Sequence, residues 1–138
     1  PLFLKGGTQY ASGIGEELRP ITIPKGWCAV LVYPKLHIST PWAYEQLKIS
    51  LTAKPKKAII PSQLEKVLDW LIFENDFDLA IIPSYPEIGK IKEYLYKEGA
   101  LYAGLSGSGS TVFGICESCK IAKRMKTAFK HAVIVNPI

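Results

Sequence analysis

A chain of 138 residues, 48% hydrophobic and 21% charged, is long and apolar enough to form one folded domain with a buried core, which excludes a disordered protein. The longest apolar run, residues 27–33, is too short to cross a bilayer, so no membrane partner is expected. The formal net charge of +5 permits a phosphorylated or nucleic-acid partner without choosing between them. Three cysteines, an odd number, exclude a complete disulfide framework, which favours a cytoplasmic location.

The first predicted elements are short strands and turns over residues 1–24, which are rich in Gly and Thr. The chain opens "PLFLKGG" without Met, and we therefore expect it to be a truncated part of a longer protein. The next segment, "GWCAVLVYP", predicts a buried strand that Pro34 ends. A helix is predicted to start within "HISTPWAYEQL", with Thr40 as the N-cap and Pro41 in the first helical position.

Three more helices are predicted further along the chain. "SQLEKVLDWLIF" has an apolar face and a capping box of Ser62 with Glu65. "SYPEIGKIKEYLYKEG" has a second capping box, Ser84 with Glu87, and is expected to end at Gly99. "SCKIAKRMKTAFK" predicts the last helix, and "HAVIVNPI" a closing strand. The pattern predicts an α+β fold in which a largely antiparallel sheet has helices packed on one face.

The stretch "GALYAGLSGSGSTVFGIC", residues 99–116, places a sequence typical of a linker directly between two apolar runs. Both runs have the length and composition of strands, so the glycines predict a tight connection inside one domain. Gly107 and Gly109 can adopt positive φ, and the loop's backbone N–H groups could bind phosphate oxygens. The loop matches neither a Walker motif nor a dinucleotide fingerprint. The spacing alone leaves a structural hairpin and an anion site both open.

Other chemistry-bearing residues give weaker signals. "CESC" holds Cys116 and Cys119, but Cys28, His37 and His131 are too scattered to complete a zinc site, so no metal site is predicted. The thiols are expected to be buried or incidental, and the histidines to lie at surface or boundary positions.

An aromatic pair and a basic helix face leave two further alternatives open. Trp42 and Tyr44 beside a helix start are typical of core residues, although such a ring could also stack on a base. A basic face on the last helix keeps an RNA-binding α+β module as an alternative, although neither central strand carries the pattern of an RNA-recognition motif. That face consists of Lys120, Lys123, Arg124, Lys126 and Lys130.

Five segments taken in order, "GGTQYASGIGEEL", "STPWAYEQL", "NDFD", "YPEIGKIKEYL" and "GALYAGLSGSGSTVFGI", resemble the later half of the 4-diphosphocytidyl-2-C-methyl-D-erythritol kinases. These enzymes form a branch of the GHMP kinases in non-mevalonate isoprenoid synthesis. The resemblance implies a ferredoxin-like GHMP kinase C-terminal domain over residues 25–138. Residues 1–24 would then be the tail end of the N-terminal kinase domain.

The resemblance also implies an activity and a set of site residues. The intact protein would use ATP to phosphorylate the 2-hydroxyl of the cytidine-diphosphate methylerythritol substrate. Tyr44 would stack on the cytosine, with Thr40, Pro41 and the backbone of Ile14 bordering the substrate. The glycine-rich loop would face substrate and phosphates through Ser106, Gly107, Ser108, Gly109 and Ser110.

The chain departs from the family pattern where catalysis is concerned. The family's ATP loop and its catalytic Lys and Asp have no counterpart here and are expected upstream of Pro1. ATP and Mg would therefore be bound mainly by the missing N-terminal domain, the expected partner of this half together with its small-molecule substrate. Since phosphoryl transfer depends on positioning and charge stabilisation, the 138-residue chain alone is predicted to be inactive. A GHMP kinase for another alcohol, such as mevalonate or homoserine, is the alternative within the superfamily, and nucleic acid is not an expected partner.

Overall fold

The computed structural model describes residues 6–23, 25–48 and 75–136, which contain two antiparallel sheets. The first sheet is a hairpin of strands β1 (Gln9–Ser12) and β2 (Glu17–Pro20). Gly13 and Gly15, in the turn between them, have φ values of +66° and +96°, a conformation that favours glycine. The predicted short strands and turns are therefore confirmed for the described part of residues 1–24.

The second sheet has four strands: β3 (Cys28–Val32), β4 (Tyr102–Leu105), β5 (Val112–Cys116) and β6 (Ala132–Val135). Their spatial order is β4-β5-β3-β6, and every neighbouring pair is antiparallel. Helices lie in the chain between β3 and β4 and between β5 and β6. This β-α-β-β-α-β arrangement is ferredoxin-like and confirms the predicted α+β class.

Four helices are described: α1 (Thr40–Lys48), α2 (Asp76–Ile81), α3 (Pro86–Lys97) and α4 (Cys119–Lys126). The helix predicted over residues 62–73 lies outside the described residues. Helix α3 ends as predicted, because Gly99 follows it with a φ of +99°.

Two helix starts differ from the sequence-based expectation. Thr40 is the first residue of α1, and the hydroxyl of Ser39 accepts a long hydrogen bond of 3.5 Å from the first turn. Ser84 does not cap α3, because Tyr85 occupies the N-cap without any side-chain cap bond. Pro86 begins α3 instead, since its ring fixes φ near the helical value and its missing N–H needs no partner there.

The main core lies between one face of the four-stranded sheet and the helices. Val30 and Val32 alternate along β3 and so lie on the same face, where both are buried. Ile88 and Leu95 of α3 and Met125 of α4 are fully buried in the same cluster. Each such side chain contributes about 1.5–3 kcal/mol through burial of its apolar surface.

Strand β4 is at one edge of this sheet, and side chains accompany its backbone there. The hydroxyl of Tyr96 donates to the carbonyl of Ala103 at 3.2 Å. The side-chain amide of Asn75 donates to the carbonyl of Leu105 at 2.9 Å. Two helices thus supply hydrogen bonds that a further strand would otherwise supply.

Candidate functional site

The glycine-rich loop is a tight connection between β4 and β5, as predicted from its apolar flanks. The backbone N–H of Ser106 donates to the carbonyl of Thr111 at 2.9 Å. The backbone N–H of Gly109 donates to the carbonyl of Ser106 at 3.1 Å. Gly107 and Gly109 adopt φ values of +60° and +85°. The hydroxyl of Ser110 donates to the carbonyl of Leu36 at 2.8 Å, which fixes the far side of the loop to the segment that follows β3.

The loop contacts the start of α1 directly. The hydroxyl oxygens of Thr40 and Ser108 are 3.2 Å apart, and either can be the donor. This pair joins a residue expected to border the substrate with one expected to face its phosphates, although 68 residues separate them in sequence. Thr40 therefore has a contact in the site in place of the capping role predicted for it.

Tyr44 lies one turn further along α1 and is 55% exposed. Its ring makes an edge-to-face contact with Phe77 of α2, with centroids 5.1 Å apart and planes at 87°. Trp42 is instead partly buried against the core and packs edge-to-face on Tyr85. Of the two aromatics, Tyr44 has the exposed surface that stacking on a base requires. Pro41 directly follows Thr40 in the first turn of α1 and is exposed.

Ile14 belongs to a different part of the structure. It is at the tip of the β1–β2 hairpin and is 99% exposed. Its backbone N–H donates to the carboxylate of Glu16 at 2.6 Å, a contact within the same turn. The described contacts bring together Thr40, Ser108 and the helix of Tyr44, and they do not bring Ile14 to that cluster.

Asn75 contacts the glycine-rich loop, and the sequence indicated it only as part of the family marker "NDFD". Its amide donates to the carbonyl of Gly107 at 3.0 Å as well as to that of Leu105. An Asn directly before a helix is a recognisable N-cap signal, and Asn75 does cap α2. Its contact with the loop has no local signal in the sequence.

The thiols were expected to be buried or incidental, which is confirmed for Cys116 and wrong for the other two cysteines. Cys28 of β3 and Cys119 of α4 form a disulfide, with Cα atoms 5.2 Å apart. Cys116 is free and fully buried, and its thiol donates to the sulfur of Met125 at 3.5 Å. Burial raises the pKa of Cys116 from 9.0 to about 11, since an apolar surrounding disfavours the thiolate.

Within the described residues, no group of three His, Cys, Asp or Glu side chains is arranged to hold a metal ion. His37 and His131 are exposed, His37 in the segment between β3 and α1 and His131 directly before β6. Arg124, on the basic face of α4, donates to the carboxylate of Glu98 at 2.9 Å and so is engaged within the fold. None of the helices described in the structure is long and apolar enough to span a membrane.

Comparison with known proteins identifies relatives along the whole chain. The model of the family described as GHMP kinases C terminal matches residues 62–134. The chain is 42% identical over 144 residues to the 4-diphosphocytidyl-2-C-methyl-D-erythritol kinase of Geobacter sulfurreducens, which covers 100% of this chain and 50% of that one. The chain thus spans about half the length of the curated relatives it matches.

Two solved structures share the fold. A crystal structure of a 4-(cytidine 5'-diphospho)-2C-methyl-D-erythritol kinase matches with a TM-score of 0.68 and 23% identity, over 96% of this chain and 50% of that one. The homoserine kinase of Cytophaga hutchinsonii matches with a TM-score of 0.66 and 17% identity, over 98% of this chain and 49% of that one. At these identities the two matches show the architecture alone.

Proposed function

The chain belongs to the GHMP kinase C-terminal family, and we propose on that premise that it is the substrate-binding half of an ATP-dependent kinase. The proposed substrate is 4-diphosphocytidyl-2-C-methyl-D-erythritol, phosphorylated on its 2-hydroxyl in non-mevalonate isoprenoid precursor synthesis. The name of the Geobacter relative, 42% identical over the full chain, supports this substrate. The observation that carries the proposal is the contact between Thr40 and Ser108, because it sets the helix of Tyr44 against the glycine-rich loop.

In this proposal each part of the cluster binds one part of the substrate. The exposed ring of Tyr44 stacks on the cytosine, and Thr40 and Pro41 border the same group. The backbone N–H groups of Gly107 and Ser108 face the diphosphate, since those of Ser106 and Gly109 donate within the loop. A turn with positive-φ glycines is suited to this role. The backbone of Ile14 borders the substrate in the intact kinase.

We place the main binding of ATP and magnesium outside the described residues. They include no three-residue metal-ligating group, and the glycine-rich loop lacks the Lys of a Walker motif. We assign both to an N-terminal domain that corresponds to the other half of the relatives, together with the catalytic Lys and Asp. ATP supplies the phosphoryl group there, while this half orients the acceptor. The division between the two domains near residue 24 and the inactivity of the isolated chain stay predictions.

The test is an ADP-release assay on the complete reading frame that encodes this chain, with the 138-residue chain beside it. The substrates are the cytidine-diphosphate compound, mevalonate and homoserine, each offered separately. Tyr44→Ala should raise the KM for the cytidyl substrate roughly 5- to 150-fold, the range for losing one base–aromatic stack. Tyr44→Phe keeps the ring and serves as the matched control, with a KM close to that of wild type.

Each result bears on a different part of the proposal. Turnover of the cytidyl substrate alone, with a silent 138-residue chain, supports the substrate and the division of labour. Preference for mevalonate or homoserine would retain the superfamily and refute the substrate and the role of Tyr44. If no alcohol is phosphorylated, the proposed activity is wrong, and a salt-dependent RNA-binding assay is the next measurement.

A further inference from the structure

The side-chain amide of Asn75 connects α2 to the glycine-rich loop. Its Nδ2 donates to the carbonyl of Leu105 at 2.9 Å and to that of Gly107 at 3.0 Å. Its Oδ1 accepts a hydrogen bond of 3.0 Å from the backbone N–H of Phe77, which caps α2. Carbonyls only accept and an N–H only donates, so a single orientation of the amide satisfies all three partners. An aspartate could reproduce the cap but neither bond to the loop.

Phe77, two residues after Asn75, contacts the part of the site that belongs to α1. Phe77 is partly buried against the core, and its ring meets that of Tyr44 edge to face at 5.1 Å. Tyr44 is more than half exposed, and its contact with Phe77 limits the positions that the ring can take. Residues 75 and 77 therefore contact the two parts of the site that α1 and the β4–β5 loop supply.

The segment itself is anchored to the fold at its far end. Asp78 forms an ion pair with Lys92 of α3, and both side chains are largely buried. Helix α3 in turn packs on the sheet through Ile88 and Leu95, which are fully buried. Residues 75–78 thus extend from the core to the site. Asn75 contacts the loop, Phe77 contacts Tyr44, and Asp78 pairs with Lys92.

We propose that residues 75–78 form a brace that sets the position of the glycine-rich loop relative to the stacking ring. Asn75 is the positioning residue for the loop, and Phe77 is the positioning residue for Tyr44. Neither needs to touch the substrate. This inference rests on the proposed function for the identity of the substrate, whereas the bonds of Asn75 to the loop are independent of it.

The first experiment measures the loop without using activity. Hydrogen exchange with mass spectrometry follows peptides that contain the amides of Ser106 and Gly109, both hydrogen-bonded within the loop. Asn75→Asp retains the capping oxygen and places a second oxygen against two carbonyls. Its loop should exchange about tenfold faster, as expected when hydrogen bonds of this kind are lost. Ser84→Ala, an exposed position before α3, is the control and should leave the loop unchanged.

The second experiment separates a positioning role from a general loss of stability. On the complete reading frame, Asn75→Asp should lower kcat about tenfold and change the KM for the cytidyl substrate much less. Phe77→Leu should do the opposite, raising that KM roughly 2- to 10-fold while kcat is retained, because an aromatic pair is lost. A merely structural role would reduce the folded fraction, which lowers the apparent kcat of either variant and leaves its KM unchanged. The kcat of each variant is therefore calculated per folded molecule, with the folded fraction measured by circular dichroism.

The outcomes distinguish this inference from the proposed function. If wild type turns over the cytidyl substrate while Asn75→Asp keeps normal loop exchange and normal kcat, the brace is refuted and the proposed function stands. If wild type prefers another alcohol, the proposed function falls, and loop exchange together with kcat on that alcohol decides the role of Asn75. Should Asn75→Asp fail to fold, Asn75→Ser, which also retains a capping oxygen, is judged by the same measurements.

Discussion

Substitution of alanine for Gly109, with the same change at Gly107 as its matched control, tests how tightly the glycine-rich loop is held. Both glycines have positive φ, so alanine at either position introduces a backbone strain of about 1–2 kcal/mol. At Gly107 a Cβ would meet nothing within 4 Å. At Gly109 it would lie 3.1 Å from a methyl of Leu105 and 3.2 Å from one of Ile38, both buried side chains.

The two variants should therefore differ by the steric term. Overpacking a buried position costs roughly 1–3 kcal/mol, so Gly109→Ala should lose about 2–5 kcal/mol in total and Gly107→Ala about 1–2 kcal/mol. Urea denaturation of the complete reading frame measures both, and the difference between their midpoints isolates the contact with Leu105 and Ile38. Equal midpoints, or a less stable Gly107→Ala, would refute the packing described for the loop.

Two predictions concern the cysteines. The Cys28–Cys119 disulfide closes a loop of 91 residues, for which chain entropy gives up to about 4–5 kcal/mol, so dithiothreitol should lower the thermal midpoint of wild type but not of Cys119→Ser. If the wild-type midpoint does not change, and if Cys28 and Cys119 can both be alkylated without prior reduction, the disulfide is absent. Because burial raises the pKa of Cys116 to about 11, only about one thiol in a thousand is ionised at pH 8. Native Cys116 should resist iodoacetamide at pH 8 and react faster as the pH rises, and labelling at the rate of a free thiol would contradict this.

The strands and the helix end at Gly99 could be predicted because their signals are local. The alternation of Val30 and Val32 reports which face of β3 is buried, and a glycine after an amphipathic run marks a helix end whatever surrounds it. The start of α3 was missed because two local signals competed there. Ser84 offered a capping box, but Pro86 determined the first helical residue.

The contacts that assemble the site could not be predicted in this way. Thr40 and Ser108 are 68 residues apart, and Asn75 and Gly107 are 32 apart, so each pair depends on how the elements pack. The disulfide spans 91 residues, and the spacing of the cysteines gave no indication of it. The roles expected for Tyr44 and the loop came from the family resemblance. The structure adds their neighbours, Phe77 beside Tyr44 and Asn75 beside the loop.

The hydrogen bonds along the outer side of β4 affect how the protein behaves at high concentration. Exposed strand edges allow one molecule to extend the sheet of another, and the usual protection is to cover or occupy their backbone groups. Here the carbonyls of Ala103 and Leu105 are occupied by Tyr96 and Asn75, so an incoming chain would have to displace two side chains before it could pair. Self-association through this edge is thereby disfavoured. The asparagine that donates to the loop thus also occupies part of the edge along which a second molecule would have to pair.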